Sequence, residues 1–373
     1  MRAFARSLVH PFVVGAALVV AMAVVAAPAS AQWQVESKDG KSSLKFGFLI
    51  QPQLELLETA DQDATSANLF IRRLRLIVGG TLNEHWSFFF ETDSPNLGKA
   101  RPEPGASAPG AKDQGDLYVQ DAYLTYSRGM AFKVDAGMIM LPHSRNGTQS
   151  AATLLAVDYG PYTFLDSGPG GERVGRDYGV QLRGYPAGEK FEYRLAVSQG
   201  VRGPEATNPL RITGRAVYYP FGAETGFFYA GTFQGTKRQA GFGGGFDVQD
   251  DASIYSADAF FETPLFEKRQ GVTLQFNWMR YDGGTFLPAL PKQDAFLLEA
   301  GYHVWNHRLT PFVQYQARYF ASAAMPDQDT FQAGVAWWLA GHQRSVKFSV
   351  GRLHTDGQPD RTQMLMQVQL FYF

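Results

Sequence analysis

The chain contains no cysteine. That one absence removes disulfides, thiolate zinc sites, covalent haem attachment and thiol catalysis. A small secreted fold would need disulfides, whereas a large β-barrel holds itself together by closing its own hydrogen-bond ladder. A charge bias is missing too: 34 Lys and Arg stand against 35 Asp and Glu, so nothing points to nucleic acid. Beyond residue 31 no segment approaches about 18 consecutive apolar residues, which excludes later membrane-spanning helices.

What is present starts with a leader. Arg2 and Arg6 precede the uncharged apolar run Phe12–Ala27, and Ala29-Ser30-Ala31 is a small-x-small site. This is the layout of a Sec signal peptide cut before Gln32. A membrane anchor competes, but the run is short and no basic stop-transfer cluster follows. Residues 1–31 are therefore expected to be removed, leaving 32–373 as one domain.

In that domain apolar and polar residues alternate. Leu44, Phe46, Phe48, Ile50, Leu54 and Leu56 share one parity; Ser43, Lys45, Gly47, Gln51, Gln53 and Glu55 share the other. Period two puts the sets on opposite faces of a strand, whereas a helix would mix them. The pattern returns in Phe132–Met138, Phe191–Val197, Val272–Trp278 and Val346–Val350. Turn signals divide the chain into about sixteen strands, an even number that returns the chain end to its starting side. The ninth is expected near 226, between a short turn Pro220–Thr225 and a long loop Gln234–Asp251.

Connections alternate in length. Short ones include Asn83–His85, Ser127–Gly129, Pro186–Lys190, Trp305–Arg308 and Ala340–Arg344; long ones include Thr59–Ala67, Ser94–Gly115, Pro142–Gly175, Tyr281–Lys292 and Phe320–Gln328. Short periplasmic turns and long outer loops belong to a transmembrane barrel, and a soluble sandwich has no reason to alternate them. Trp86, Tyr126, Phe132, Tyr185, Phe191, Tyr218, Tyr219, Phe227, Trp305, Trp337 and Trp338 lie beside the short turns and read as an interfacial girdle. The fold class is all-β: a transmembrane antiparallel β-barrel in the outer-membrane lipid of a Gram-negative bacterium. The last strand alternates Met364, Met366, Val368, Leu370 and Tyr372 against glutamines and ends on Phe373, the terminal signal read by the barrel-assembly machinery. Phe373 is in register with the glutamines, so either a bulge shifts the end or Phe373 sits beyond the last pair.

Particular residues carry a family resemblance. Phe70-Ile71-Arg72-Arg73-Leu74-Arg75-Leu76, then Gly80-Thr81 and Trp86, resembles the second and third strands of the phosphate-selective porin O and P family. Asp121-Ala122-Tyr123-Leu124, Arg176–Leu182, Thr213-Gly214-Arg215 before Tyr219-Pro220, and Asp258-Ala259-Phe260 are similar too. The resemblance implies a sixteen-stranded barrel, a homotrimer, and a long third loop folded inward to narrow the pore. That loop corresponds to about Pro142–Gly175, with a short helix possible at Ser150–Val157. His143, Arg145 and Arg173 would meet Asp158, Asp166 and Glu172 near the constriction.

An anion channel must replace part of its solute's water shell yet release it, and guanidinium groups do so with a fixed fork of donors. Arg73, Arg75, Arg183, Arg194, Arg211, Arg215, Arg318 and Lys347 fall on polar strand faces; with Arg145 they are the candidate anion track. Glu55, Glu91, Asp93, Asp121, Asp135, Glu192, Asp258 and Glu299 share those faces and offer the plainer reading, salt bridges across the wall. Gly241–Gly245 lies in the expected long loop and lacks the Lys-Ser/Thr of a phosphate loop. His303 and His307 straddle a turn, and Asp247, Asp250 and Asp251 form a charged cluster; neither makes a strong metal motif.

No cofactor is expected. Three functions compete: a passive porin for small hydrophilic solutes, anions such as phosphate among them; a barrel sheathing a separate multihaem cytochrome; and a barrel enzyme, which would need a Ser–His pair at the wall.

Overall fold

The computed structural model describes residues 33–100, 116–164 and 174–373. The expected leader, residues 101–115, and Asp166, Glu172 and Arg173 lie outside the described residues.

Seventeen strands make one antiparallel sheet. They are β1 (Trp33–Glu36), β2 (Ser43–Glu58), β3 (Thr65–Thr81), β4 (Trp86–Asp93), β5 (Tyr118–Ser127), β6 (Lys133–Met140), β7 (Arg176–Gly184), β8 (Phe191–Ser198) and β9 (Arg211–Tyr218). There follow β10 (Gln239–Gln249), β11 (Ala252–Leu265), β12 (Gln270–Asp282), β13 (Gln293–His303), β14 (Leu309–Phe320), β15 (Gln328–Ala340), β16 (Arg344–Thr355) and β17 (Arg361–Tyr372). Each strand from β2 to β17 pairs with its sequence neighbours, and β2 closes the ring: Leu56 faces Met364 of β17 on one side and Ala67 of β3 on the other. Closure leaves no edge among these sixteen, the condition for a sheet that borders lipid. The unanticipated β1 pairs with Ser43–Phe46 and continues the wall where β17 stops.

Alternation sorts the faces as expected. On β12, Thr273, Gln275 and Asn277 are buried inside, while Leu274 on the other face is exposed. Trp86, Phe132, Phe191, Tyr218, Trp305 and Trp337 are exposed beside the short turns. Four girdle candidates are not in the girdle: Tyr185, Tyr219, Phe227 and Trp338 are buried within the barrel.

The strand count holds, but the ninth strand of the closed ring is misplaced by the sequence reading. Residues 219–238 contain no strand; the ninth wall strand is β10, and β10 reaches β11 through a two-residue turn. Strict alternation of loop lengths fails here, because a twenty-residue connection, 219–238, sits at the short-turn end. Gly241–Gly245 is therefore wall, not loop. Glycine normally weakens strands, and here it marks close approach. A Cβ on Gly243 would lie 2.6 Å from Arg215 Nη2 and 2.8 Å from Asp258 Oδ1. Arg215 on β9 and Asp258 on β11 are two strands apart, and they meet only because the strand between them offers no side chain. A Cβ on Gly245 would press at 2.9 Å on His143 O of the third loop.

Phe373 lies one residue beyond the last paired residue, Tyr372, and keeps the glutamine parity without a bulge, packing over Gly47 inside the barrel.

Gly243→Leu should split the Arg215–Asp258 pair and cost about 1–3 kcal/mol, read as a lower melting midpoint of the detergent-folded barrel. On the outer face, Gly244→Ala meets only Ser256 O at 3.3 Å and should melt close to wild type. Equal midpoints would show that the glycines are unrelated to the ion pair.

Candidate functional site

The third loop leaves β6 at Leu141 and crosses the lumen. Ser144 caps a single helical turn, Arg145–Thr148, its hydroxyl accepting from Gly147 N at 3.1 Å. The helix expected at Ser150–Val157 does not form: the stretch runs as irregular backbone whose carbonyls are met by wall side chains. Gln51 Nε2 donates to Ala151 O (3.3 Å), Gln369 Nε2 to Ala152 O (2.8 Å), and Gln314 Nε2 to Asp158 O (3.1 Å). Lys347 Nζ donates to Leu154 O (2.5 Å) and Ala156 O (2.9 Å). A carbonyl inside the barrel competes for donors rather than for a helix of its own, and the glutamine-rich faces of β2, β14 and β17 supply them.

From the opposite end, residues 219–238 fold up to meet this loop. Ser150 N donates to Tyr229 O (2.9 Å), Tyr229 N to Thr148 O (3.0 Å) and Thr232 N to Thr153 O (3.1 Å). An ion pair joins the two segments, Arg145 Nη1 to Glu224 Oε1 at 2.7 Å. Tyr229 donates to Glu192 Oε2 (3.0 Å) and accepts from Arg215 Nε (3.1 Å); burial pushes its hydroxyl up to about 12. Phe227 stacks on Tyr123 at 4.3 Å, and Phe89 meets both Phe228 (5.6 Å) and Phe373 (5.7 Å) edge-on. The chain's own aromatic side chains thereby crowd the short-turn half.

The nine candidate cations all belong to this interior, in different roles. Arg75 pairs with Glu91 (2.7 Å) and Asp93 (2.9 Å), Arg183 with Asp135 (2.7 Å), Arg194 with Glu192 (2.5 Å), Arg211 with Asp247 (2.5 Å) and Arg215 with Asp258 (2.6 Å). All five are buried. Arg145 lies over the Phe260 ring at 3.6 Å besides its bond to Glu224. Lys347 holds the loop. Arg318 donates to Gln328 Oε1 (2.7 Å) between the Tyr162 and Phe320 rings, and no carboxylate pairs with it among the described residues. The remaining acids are also engaged: Asp121 with Arg176, Glu55 with Lys99, and Glu299 with Gln314.

Arg73 differs because of its neighbour. Ile50 pairs with Leu74 but Pro52 pairs with Ile71, so β3 carries a bulge at Arg72-Arg73. A bulge puts two residues opposite one, and so both guanidinium groups turn inward. Arg72 Nε binds Asp158 Oδ2 and Arg73 Nη2 binds Asp158 Oδ1, each at 2.6 Å. Burial alone would raise the Asp158 carboxyl, but the two arginines override it and hold it well below the usual carboxylate range. These groups border a cavity of about 540 Å³ in the long-loop half, lined also by Arg75, Lys99, Arg176, Tyr159, Tyr162 and the glutamines of β2, β14, β15 and β17.

Sequence reasoning missed Arg72 and the 219–238 segment. Arg72 carried a signal, two arginines in succession breaking the alternation opposite a proline. The segment's signal was Phe227-Phe228-Tyr229, which is apolar on both parities and so fits no wall strand. The minor motifs resolve elsewhere. His143 pairs with Asp247 inside the wall, His303 lies between Thr273 and Thr310 hydroxyls, and Asp251 accepts from Thr285 and Phe286 in a turn. Among the described residues no three ligating groups converge on a metal position.

A family model described as phosphate-selective porin O and P matches residues 53–289. No curated protein matches the chain. An anion-selective porin from Comamonas acidovorans is 12% identical, with 89% of this chain and 100% of that one covered and a TM-score of 0.55. The outer membrane channel DcaP of Acinetobacter baumannii is 11% identical over 91% and 99%, with a TM-score of 0.54. Salmonella typhi OmpF, solved with daunomycin, is 11% identical over 90% and 100%, with a TM-score of 0.58. At these identities the likeness speaks for the fold.

Glu224→Gln should leave the Arg145 guanidinium without its buried counter-charge, at up to about 3–5 kcal/mol. The folded protein should then be cut by protease within 219–238 where wild type resists. Unchanged resistance would mean that the aromatic contacts alone hold the segment.

Proposed function

Because the chain belongs to the phosphate-selective porin O and P family, we propose that it is an outer-membrane porin for passive diffusion of small hydrophilic solutes, with a preference for anions. The observation that carries the preference is the cavity above the third loop. Among the described residues five basic side chains line it, Arg72, Arg73, Arg75, Lys99 and Arg176, against three acidic ones, Glu55, Asp93 and Asp158. Arg72 and Lys99 keep part of their side chains open to it. A cation that faces water in a narrow, low-dielectric passage attracts anions over several ångströms, whereas a buried pair is felt only at contact.

Phosphate fits this chemistry, since guanidinium forks match its oxygens. In this reading residues 1–31 are the cleaved leader, the short turns face the periplasm, and the barrel-assembly machinery reads the final strand. Three copies assemble in the outer membrane, as the family resemblance implies. A cytochrome sheath would need a bore wide enough for another protein, and here the third loop and residues 219–238 occupy the bore. Family membership favours a channel over an enzyme.

In planar bilayers the purified protein should open discrete steps whose reversal potential in a potassium chloride gradient reports chloride preference. Arg72→Ala with Lys99→Ala should move that potential towards zero; cation preference in the unaltered protein would sink the anion reading. Phe228→Ala, which removes the bulk meeting Phe89 at the short-turn mouth, should raise single-channel conductance. An unchanged conductance would place the path elsewhere.

A further inference from the structure

We propose that Arg72 and Arg73 form a carboxylate-binding station which Asp158 of the third loop occupies when no solute is present, and that small organic carboxylates cross the constriction by exchanging with it. The proposal rests on the channel reading and adds to it the class of solute and the step at which it is held.

Exposure separates this contact from the other arginine pairs of the lumen. In the pairs of Arg75, Arg145, Arg183, Arg194 and Arg215 no side chain is more than 7% exposed. Arg72 and Asp158 are 24% and 25% exposed, and both border the cavity. A solute reaches this carboxylate without dismantling the wall.

Among the described residues, the Asp158 side chain is bound by groups that can serve a substitute. Arg72 Nε and Arg73 Nη2 each donate at 2.6 Å, and Tyr159 N donates to Oδ1 at 2.9 Å. Its backbone is fixed separately, through Gln314 to Asp158 O and through Lys347 to Leu154 O and Ala156 O. The carboxylate therefore turns away by side-chain rotation while the loop stays in place. Arg73 is steadied by Gln51 Oε1 at 2.9 Å, so the station keeps its shape when vacated.

The exchange replaces one carboxylate by another on the same two guanidinium groups, while the displaced Asp158 carboxylate stays ionised and turns into the open cavity, where its charge is hydrated. A tethered competitor acts at an effective concentration of the order of millimolar or higher, which weakens solute binding at the station, while Arg75, Lys99 and Arg176 of the same lining still draw anions into the cavity. That combination is what conduction asks of a site: enough affinity to draw a solute in, too little to trap it. Tyr159, Tyr162 and Phe164 border the cavity as well and give a hydrocarbon tail an apolar surface that a bare inorganic anion would not use.

Asp158→Ala deletes a side chain that acetate closely replaces. Acetate should block chloride current through this variant at a half-blocking concentration about tenfold or more below that for wild type, where the tethered carboxylate competes. The triple variant Arg72→Ala, Arg73→Ala, Asp158→Ala should lose the block. Equal half-blocking concentrations for wild type and Asp158→Ala would overturn the station, as would block persisting in the triple variant. Absence of block in wild type at any acetate concentration would overturn the exchange. If Asp158→Ala fails to fold, Asp158→Asn keeps the shape and removes the charge, with the same expected shift. If no variant passes current, the channel reading fails by itself. The fluorine relaxation of trifluoroacetate with detergent-folded protein then decides the station, enhanced by Asp158→Ala and not by the triple variant, or overturned if neither enhances it.

Discussion

Inside a closed barrel a loop has no partners except the wall, and that requirement organises this molecule. Between Ala151 and Asp158 the third loop runs without helix, so its carbonyls must be met by side chains. Gln51, Gln314, Lys347 and Gln369 meet them from four different strands. A wall that must donate in this way is rich in amide and cationic groups for structural reasons, before any solute is considered. The lumen's polarity is first the loop's solvent and only then the solute's.

The same requirement explains why so many arginines are spoken for. A guanidinium in the interior without a counter-charge would be costly, and among the described residues each buried one has its acid. Function is left to the places where pairing is incomplete or exposed, and these gather at the bulge of β3. The bulge breaks the one-in, one-out rule of the strand and delivers two arginines to one spot. An irregularity of the ladder thereby makes an accessible charged contact in the lumen.

Legibility followed the side chains' parity. Where large apolar residues alternate with polar ones, as in Val272–Trp278, strand, face and neighbours were readable, because lipid and lumen impose opposite chemistry on successive residues. Where glycine replaced the lumenal residue, as at Gly243 and Gly245, half of the pattern vanished and a wall strand read as a loop. Phe227-Phe228-Tyr229 misled in the other direction, since aromatic residues that fill a lumen look like those that face lipid; Tyr185, Tyr219 and Trp338 were assigned to the girdle for the same reason. The arginines could be placed on their faces but not paired. Partners such as Asp258 for Arg215 lie two strands away, and the separation is bridged by what the intervening strand lacks.

The aromatic contact at the short-turn mouth joins Phe89, Phe228 and Phe373, which come from the first third of the chain, its middle and its last residue. Such a cluster cannot form piecemeal. Phe373 holds its place over Gly47 through the pairing of β17 with β2, so the packing of residues 219–238 depends on the sealed ring. Phe373 thus couples closure of the seam to the packing of the mouth. A barrel without the β17–β2 seam would carry an open edge and lose the Phe373 contact at the mouth together.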